Sequence, residues 1–455
     1  MRKMKFLGNK ISLILLMIGV MNPVFAQKEL SQVDTLFLTL EQSLEVALSS
    51  NPTMKVAGKE IELKKEARFE AFAGLFPEVS LDASYTRTLK KQTMAMDFQG
   101  QSTVIEVGQK NSYTGGVNVS LPIFAPALYK SINLTKADVE LAVEKARSSR
   151  LDLINQVTKA FYQLLLTQDS YNVLLKSYAQ AEANYNLIKA KFDQGSVSEY
   201  DKIRAEVQMR SLKPSVVSAR NGVNLASLQL KVLMGMSSNL CIGVLGNLKD
   251  YEETLFSEQL VKDSINLSAN SDLKQLDLNV KLLSKSLQLE RTNFMPTLAA
   301  HYNYMYTTLS ETFRFKSYDW FPYSTIGLTL SIPVFKASNF TKVKQTKIQM
   351  QQLTYNRTDI ERQLNMQARS YQDNMDASAE QVVSNRESVR QAEKGREIAK
   401  KRYEVGKGTI LELNDSEVAL TESQLTYNQS IYDYLIAKAD LEKVLGFDNI
   451  NVNKE

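Results

Sequence analysis

The sequence predicts an α+β membrane protein in which one helix–strand–strand–long helix–helix unit is used twice. Three observations predict it: landmarks that recur at one fixed spacing, two very long stretches free of proline and glycine, and four runs that alternate apolar with polar residues. Pro122 and Pro333, Gly195 and Gly406, and Gly235 and Gly446 are each separated by 211 residues. A period of that size is too long for a solenoid repeat and marks duplication of a domain-sized element. The first copy is read over 36–235 and the second over 255–446, with 236–254 as connector and 447–455 as a C-terminal tail.

Residues 1–26 read as a signal peptide. Arg2, Lys3, Lys5 and Lys10 stand without an acid, and Ala26 offers the small residue that precedes a cut. Ile11–Val20 is apolar but shorter than the roughly 20 residues that a membrane-crossing helix takes. Cleavage after Ala26 removes those four bases and takes the formal charge from +5 to +1, which withdraws the electrostatic support for a nucleic-acid partner. No cysteine lies near the cut, so a lipid anchor is excluded, and past it no apolar stretch is long and uncharged enough for a transmembrane helix. The single cysteine, Cys241, is expected to be a packed thiol. With the single histidine, His301, it leaves no disulfide, no thiolate zinc site and no HExxH motif. No phosphate-binding loop or substrate-facing carboxylate pair is present either, so neither catalysis nor a cofactor is expected, and energy for any transport must come from a partner.

Within each copy the order can be justified element by element. Asn51 matches Asn270 and Pro77 matches Pro296 at a spacing of 219, so the first copy holds eight more residues before Pro122, an excess expected in a loop. Strands are expected at about 77–89, 112–122, 296–309 and 321–333. In the first, Val79, Leu81, Ala83 and Tyr85 alternate with Glu78, Ser80, Asp82 and Ser84; in the third, Leu298, Tyr302 and Tyr304 alternate with His301 and Asn303. Each run is long enough for a tilted membrane strand, which needs roughly 9 to 11 residues. Tyr85, Tyr113, Phe313, Phe315, Tyr318, Trp320, Phe321 and Tyr323 gather near the strand ends, as an interfacial girdle requires. Glu78, Asp82, His301 and Asn303 fall on the polar faces and are candidate lumen-lining residues.

Long helices follow at about 127–194 and 337–404. Pro126 stands where a first helical residue would, and at 1.5 Å per residue each rod is roughly 100 Å long. A seam with steps of four and three begins at Leu153, Val157, Ala160 and Leu164 and runs to Ile188 and Phe192. Its counterpart, from Leu364 to Tyr403, keeps the register but is interrupted by Asn385 and Arg396, so the second rod is expected to pack more loosely. Four strands cannot close a membrane barrel, which needs at least about eight, so several chains must share one. The alternative is a periplasmic coiled-coil adaptor or structural protein without a membrane barrel of its own, its alternating segments forming a soluble sheet.

Over nearly the whole mature chain the sequence resembles the TolC family of outer-membrane channel proteins. The resemblance is carried by Leu38–Pro52, the Phe76-Pro77 strand entry, the strand exits at Pro122 and Pro333, and the paired turns Lys191–Gly195 and Arg402–Gly406. It implies a homotrimer in the outer membrane of a Gram-negative bacterium. Four strands from each chain would make a 12-stranded barrel, and the helices would continue it as a periplasmic α-helical barrel. It implies a passive exit duct of a tripartite efflux pump or type I secretion system, opened at its helical tips by a periplasmic adaptor (membrane fusion protein) and an inner-membrane transporter. It also implies a gate at the tip turns, Gly195, Gly406 and Gly408. Glu412 and Asp415 would ring the aperture, and Asp201 would join the links that hold it shut. Rings of like charge favour cations and raise one another's pKa; read from the residues alone, the same three are carboxylates near helix starts, where they favour the dipole. The family's gating arginine is replaced here by Gly408, which leaves Arg402 or Lys407 as the latch cation and Tyr403 as its hydrogen-bonding partner.

Overall fold

The computed structural model describes residues 36–98, 101–252, 265–313 and 318–448. The signal peptide, Phe315 of the girdle, the end of the connector, the start of the second copy and all but the first two tail residues lie outside them. Chain order is β1 (Leu36–Leu38), α1 (Leu40–Ser50), α2 (Pro52–Ala73), β2 (Glu78–Arg87), β3 (Gln92–Phe98), β4 (Gln101–Val107), β5 (Asn111–Phe124), α3 (Pro126–Asp193), α4 (Glu199–Leu233) and β6 (Ile242–Val244). There follow a 3₁₀ turn at Leu248–Tyr251, α5 (Ser271–Thr292), β7 (Thr297–Ser310), β8 (Phe321–Ser331), α6 (Ala337–Glu404) and α7 (Ile410–Leu445). No helix among the described residues is long and apolar enough to cross a membrane.

Strands β2, β5, β7 and β8 form one antiparallel sheet in that order. Its register sorts the side chains cleanly, because successive residues of a strand point to opposite faces. One face carries the rungs Val79–Val119–Tyr302–Ile326 and Leu81–Val117–Tyr304–Ser324. The other carries Glu78–Ser120–His301–Gly327 and Ser80–Asn118–Asn303–Thr325. The apolar face is bare within one chain: Leu81 is 81% and Ile326 85% exposed. Two expectations are corrected. The extra length of the first copy folds as an antiparallel hairpin, β3–β4, and not as an open loop. Phe321 and Tyr323 pair with Thr307 and Met305 and so share the pleat of the polar face, while Tyr85, Tyr113, Phe313 and Tyr318 form an aromatic cluster at the loop end.

The conserved spacing between copies has a structural cause where helix ends meet. Asn51 caps α2 by accepting from the Thr53 amide, and its side-chain NH₂ donates to the carbonyl of Leu233 at the end of α4, 2.7 Å away. Asn270 does the same for α5, accepting from Leu273 and donating to Val444 at the end of α7, also at 2.7 Å. Each junction is closed by a left-handed glycine, Gly235 or Gly446, packed on the preceding chain. A Cβ on Gly446 would stand 2.3 Å from the Ala269 carbonyl oxygen.

The core lies midway along the helices. Ala47 of α1, Val157, Phe161 and Leu164 of α3, Leu230 of α4, Val382 of α6 and Ile431 of α7 are buried together. The connector joins this core: β6 pairs in parallel with β1, Leu248 is fully buried, and Glu252 binds Arg386 of α6 and the Tyr427 hydroxyl of α7. Cys241, expected to be packed, is exposed, because it lies just before β6 and only its carbonyl is used, accepting from the Leu36 amide. Both long helices have 68 residues, and every residue of both seams is buried or half-buried.

Candidate functional site at the helical tips

Far from the sheet, the two helical pairs end in matching turns. In each, a glycine just past the long helix takes the left-handed conformation, Gly195 at φ 73° and Gly406 at φ 74°, where a side chain would be strained. The next amide then reaches back to the helix: Ser196 N donates to Lys191 O and Lys407 N to Arg402 O, both at 2.8 Å, satisfying carbonyls that a helix end leaves open. Ser198 and Thr409 then cap α4 and α7, their hydroxyl oxygens accepting from the amides of Asp201 and Glu412 at 3.1 and 3.2 Å.

Beyond this shared frame the turns diverge. Asp201 folds back on its own cap, accepting from the Ser198 hydroxyl at 2.7 Å and from its amide at 3.3 Å. Glu412 leaves its cap and stands 3.6 Å from the Arg402 guanidinium, both groups about half exposed, which makes a weak pair. Asp415 is exposed and makes no hydrogen bond or ion pair among the described residues. Gly408 lets the second turn lie on the end of α6; a Cβ there would press on Arg402 and the Tyr403 amide at 3.1 Å.

The latch cations separate. Arg402 braces its own turn, donating to the Lys407 carbonyl at 3.3 Å, and the Lys407 side chain has no recorded partner among the described residues. Neither bonds to the Tyr403 hydroxyl. The Tyr403 ring instead receives Lys191 of α3, with Nζ 5.1 Å from its centroid, and Lys202 lies over Phe192 at 4.7 Å. Burial pushes the Tyr403 hydroxyl pKa up, and the nearby Asp201 carboxylate adds to the shift. The two hairpins meet through a small apolar cluster of Ile188, Ala205, Ile410 and Leu413, with Tyr185, Val197, Ala399 and Tyr403 against it.

Sequence reasoning missed one group. Glu417 is buried between the hairpins and accepts from Asn184 Nδ2 of α3 on both oxygens, at 3.0 and 3.1 Å, with Arg396 of α6 at 3.8 Å. Its signal was present: Glu417 lies four residues after buried Leu413, and Arg396 interrupts the facing seam. Burial raises the Glu417 pKa, opposed in smaller part by Asn184, Arg396 and Lys400.

At the other end of the chain, Glu78, Asp82, His301 and Asn303 share the polar face of the sheet. The His301 ring lies across Gly327, where an added Cβ would meet Nε2 at 2.4 Å. No group of three or more His, Cys, Asp or Glu among the described residues is placed to hold a metal ion.

A family model described as outer membrane efflux protein matches residues 43–236 and 264–447. The chain belongs to that family. The outer membrane protein TolC of Vibrio cholerae serotype O1 is 20% identical over 393 residues, covering 85% of this chain and 86% of its own. TolC of Escherichia coli strain K12 is 22% identical over 433 residues, covering 92% and 83%. The crystal structure of the Campylobacter jejuni CmeC outer membrane channel superposes with a TM-score of 0.71 at 18% identity, covering 90% of this chain and 85% of that one. This efflux protein is therefore an outer-membrane exit duct of a Gram-negative bacterium, with the TolC-like fold read from the sequence. The adaptor reading, which required a soluble sheet, is set aside. The family is one of transport ducts.

Proposed function

We propose that three copies of this chain close one 12-stranded barrel, with the helices forming a tunnel below it and the tip turns its gate. The four-stranded sheet carries this reading. Its outer strands β2 and β8 run in opposite directions, so β8 of one copy can pair antiparallel with β2 of the next. Lipid does not tolerate an open edge, and the apolar face is bare until lipid covers it. Glu78, Asp82, His301 and Asn303 then line the lumen. Exposed Glu412 and Asp415 ring the aperture, Arg402 steadies Glu412, and the Lys191–Tyr403 contact, beside which the Asp201 carboxylate stands, holds one hairpin to the other. The tips are where a periplasmic adaptor docks, and an inner-membrane transporter supplies the energy; the duct itself catalyses no reaction.

Planar-bilayer conductance of the detergent-extracted protein tests this. Discrete cation-preferring channels are expected, with the preference lost in the Glu412→Ala, Asp415→Ala double variant. Unchanged conductance and ion selectivity in that variant would remove these carboxylates from the aperture.

A further inference from the structure

Between the apolar tip cluster and the mid-helix core, the seam joining the two hairpins is polar, and its central group is a carboxylate. Glu417 is 8% exposed. One amide, Asn184 Nδ2, serves both its oxygens, and Arg396 stops at 3.8 Å, beyond hydrogen-bond reach. One turn further along α7, Thr421 donates to Ser177 of α3 at 3.0 Å, so the polar line continues between the same two helices. Beside it lies a cavity of about 740 Å³, which Glu417 lines together with Lys176 and Gln180 of α3 and Glu393, Arg396 and Glu397 of α6. These, with Lys400 of α6, are the charged and titratable groups around it; α3 offers only Lys176 besides its amides.

A buried carboxylate with one amide donor and a distant guanidinium has lost more hydration than it has regained. The cavity it lines has room for water to return that hydration as the seam widens around the carboxylate. We propose that Glu417 is a proton-operated brake on the tip: neutral, it lets the α6–α7 hairpin close on α3; ionised, it draws water into the seam and loosens it. The proposal rests on the reading of the tips as the gate. The sign follows from linkage. Burial raises the Glu417 pKa in the closed packing, so that state keeps a proton which the hydrated state releases. Between the ordinary glutamate pKa and the raised one, rising pH favours the loosened tip and falling pH the closed one. The aperture carboxylates also place charge at the gate, so the test must separate them from Glu417.

Single-channel conductance of the full-length protein, measured between about pH 5 and pH 8, makes that separation. Wild type is expected to lose open probability several-fold on acidification. Glu417→Gln, which keeps an acceptor for Asn184 without a charge, should stay in the low state across the range, while Glu412→Ala, Asp415→Ala should keep most of the pH response. A full wild-type response in Glu417→Gln, or its loss in the aperture variant alone, overturns the proposal. If wild type conducts at no pH, the duct reading itself fails. The brake is then judged by amide hydrogen exchange over 405–417, corrected for intrinsic rates. Slower exchange in Glu417→Gln than in wild type at neutral pH supports it, and equal exchange rejects it.

Discussion

α3 and α6 are both 68 residues long and carry the same four-and-three seam, yet α3 is buried on more than one face and α6 on a single stripe. Around its seam α3 also buries Leu151, Asn155, Phe161, Tyr162, Leu165 and Leu166, because α1, α2, α4, α5 and α7 all reach it. Full burial along α6 ends at Val382, and from there to Tyr403 the seam is only half-buried. Duplication thus preserved the element order and the register while one copy became the spine and the other a flank. The difference shows that a heptad seam reports which stripe a helix buries, and that the residues off the seam report how many neighbours it has. It also places Arg396, which looked like dilution of the seam, as the ion-pair partner of a buried carboxylate.

The sharpest way to break the comparison is at Phe161, fully buried, against Gln372, the residue at the same position of α6. Phe161→Ala should cost about 3–5 kcal/mol by leaving a core cavity, and Gln372→Ala less than about 0.5 kcal/mol, read by thermal or denaturant unfolding of the detergent-solubilised protein. Equal effects would mean that the spine is not special. The closing glycines come next. Both are left-handed, but a Cβ on Gly446 meets Ala269 O at 2.3 Å whereas one on Gly235 meets Ser50 O at 3.0 Å. Gly446→Ala should therefore cost more than Gly235→Ala, each on the order of 1–3 kcal/mol, and the reverse order in the same unfolding assay would contradict the junction geometry. At the tips, Asp201→Ala should cost about 1 kcal/mol through loss of its capping box. Glu412→Gln should change stability hardly at all, since its ion pair is exposed; local hydrogen exchange near each turn measures both.

The smallest effect is one of pH. Asp169 of α3 accepts from the Leu248 amide at 2.9 Å, and burial raises its pKa, partly offset by that hydrogen bond. A carboxyl whose pKa is raised by folding binds more proton folded than unfolded. Its contribution to stability therefore falls as pH rises from the ordinary aspartate pKa through the raised one. Asp169→Asn should flatten the stability–pH curve in that window, read by unfolding of the detergent-solubilised protein across it.

Much of this was legible in the sequence, for physical reasons that also explain what was not. The four sheet strands, their faces and the polar placement of His301 follow from period-two alternation, which the register reproduces residue by residue. The long helices and paired turns follow from absent breakers and from glycines that must sit past a helix end. The β3–β4 hairpin shows in the sequence only as surplus length, because its strands of seven residues are shorter than those of the sheet and their apolar residues do not alternate cleanly. Phe321 and Tyr323 were assigned by residue type, although the pleat sends them to the polar face. Glu417 is not marked by the four-and-three seams of α3 and α6, because it lies on α7, the helix that completes the tip.

The central claim is that β2 and β8 are joined between copies. It is tested most directly by paired cysteines, one in each strand, introduced in a Cys241→Ser background and oxidised in intact cells. The account predicts that facing pairs give a covalent ladder that ends at three chains, with non-facing pairs giving none. Monomers at every pair, or ladders that continue past three, would contradict it.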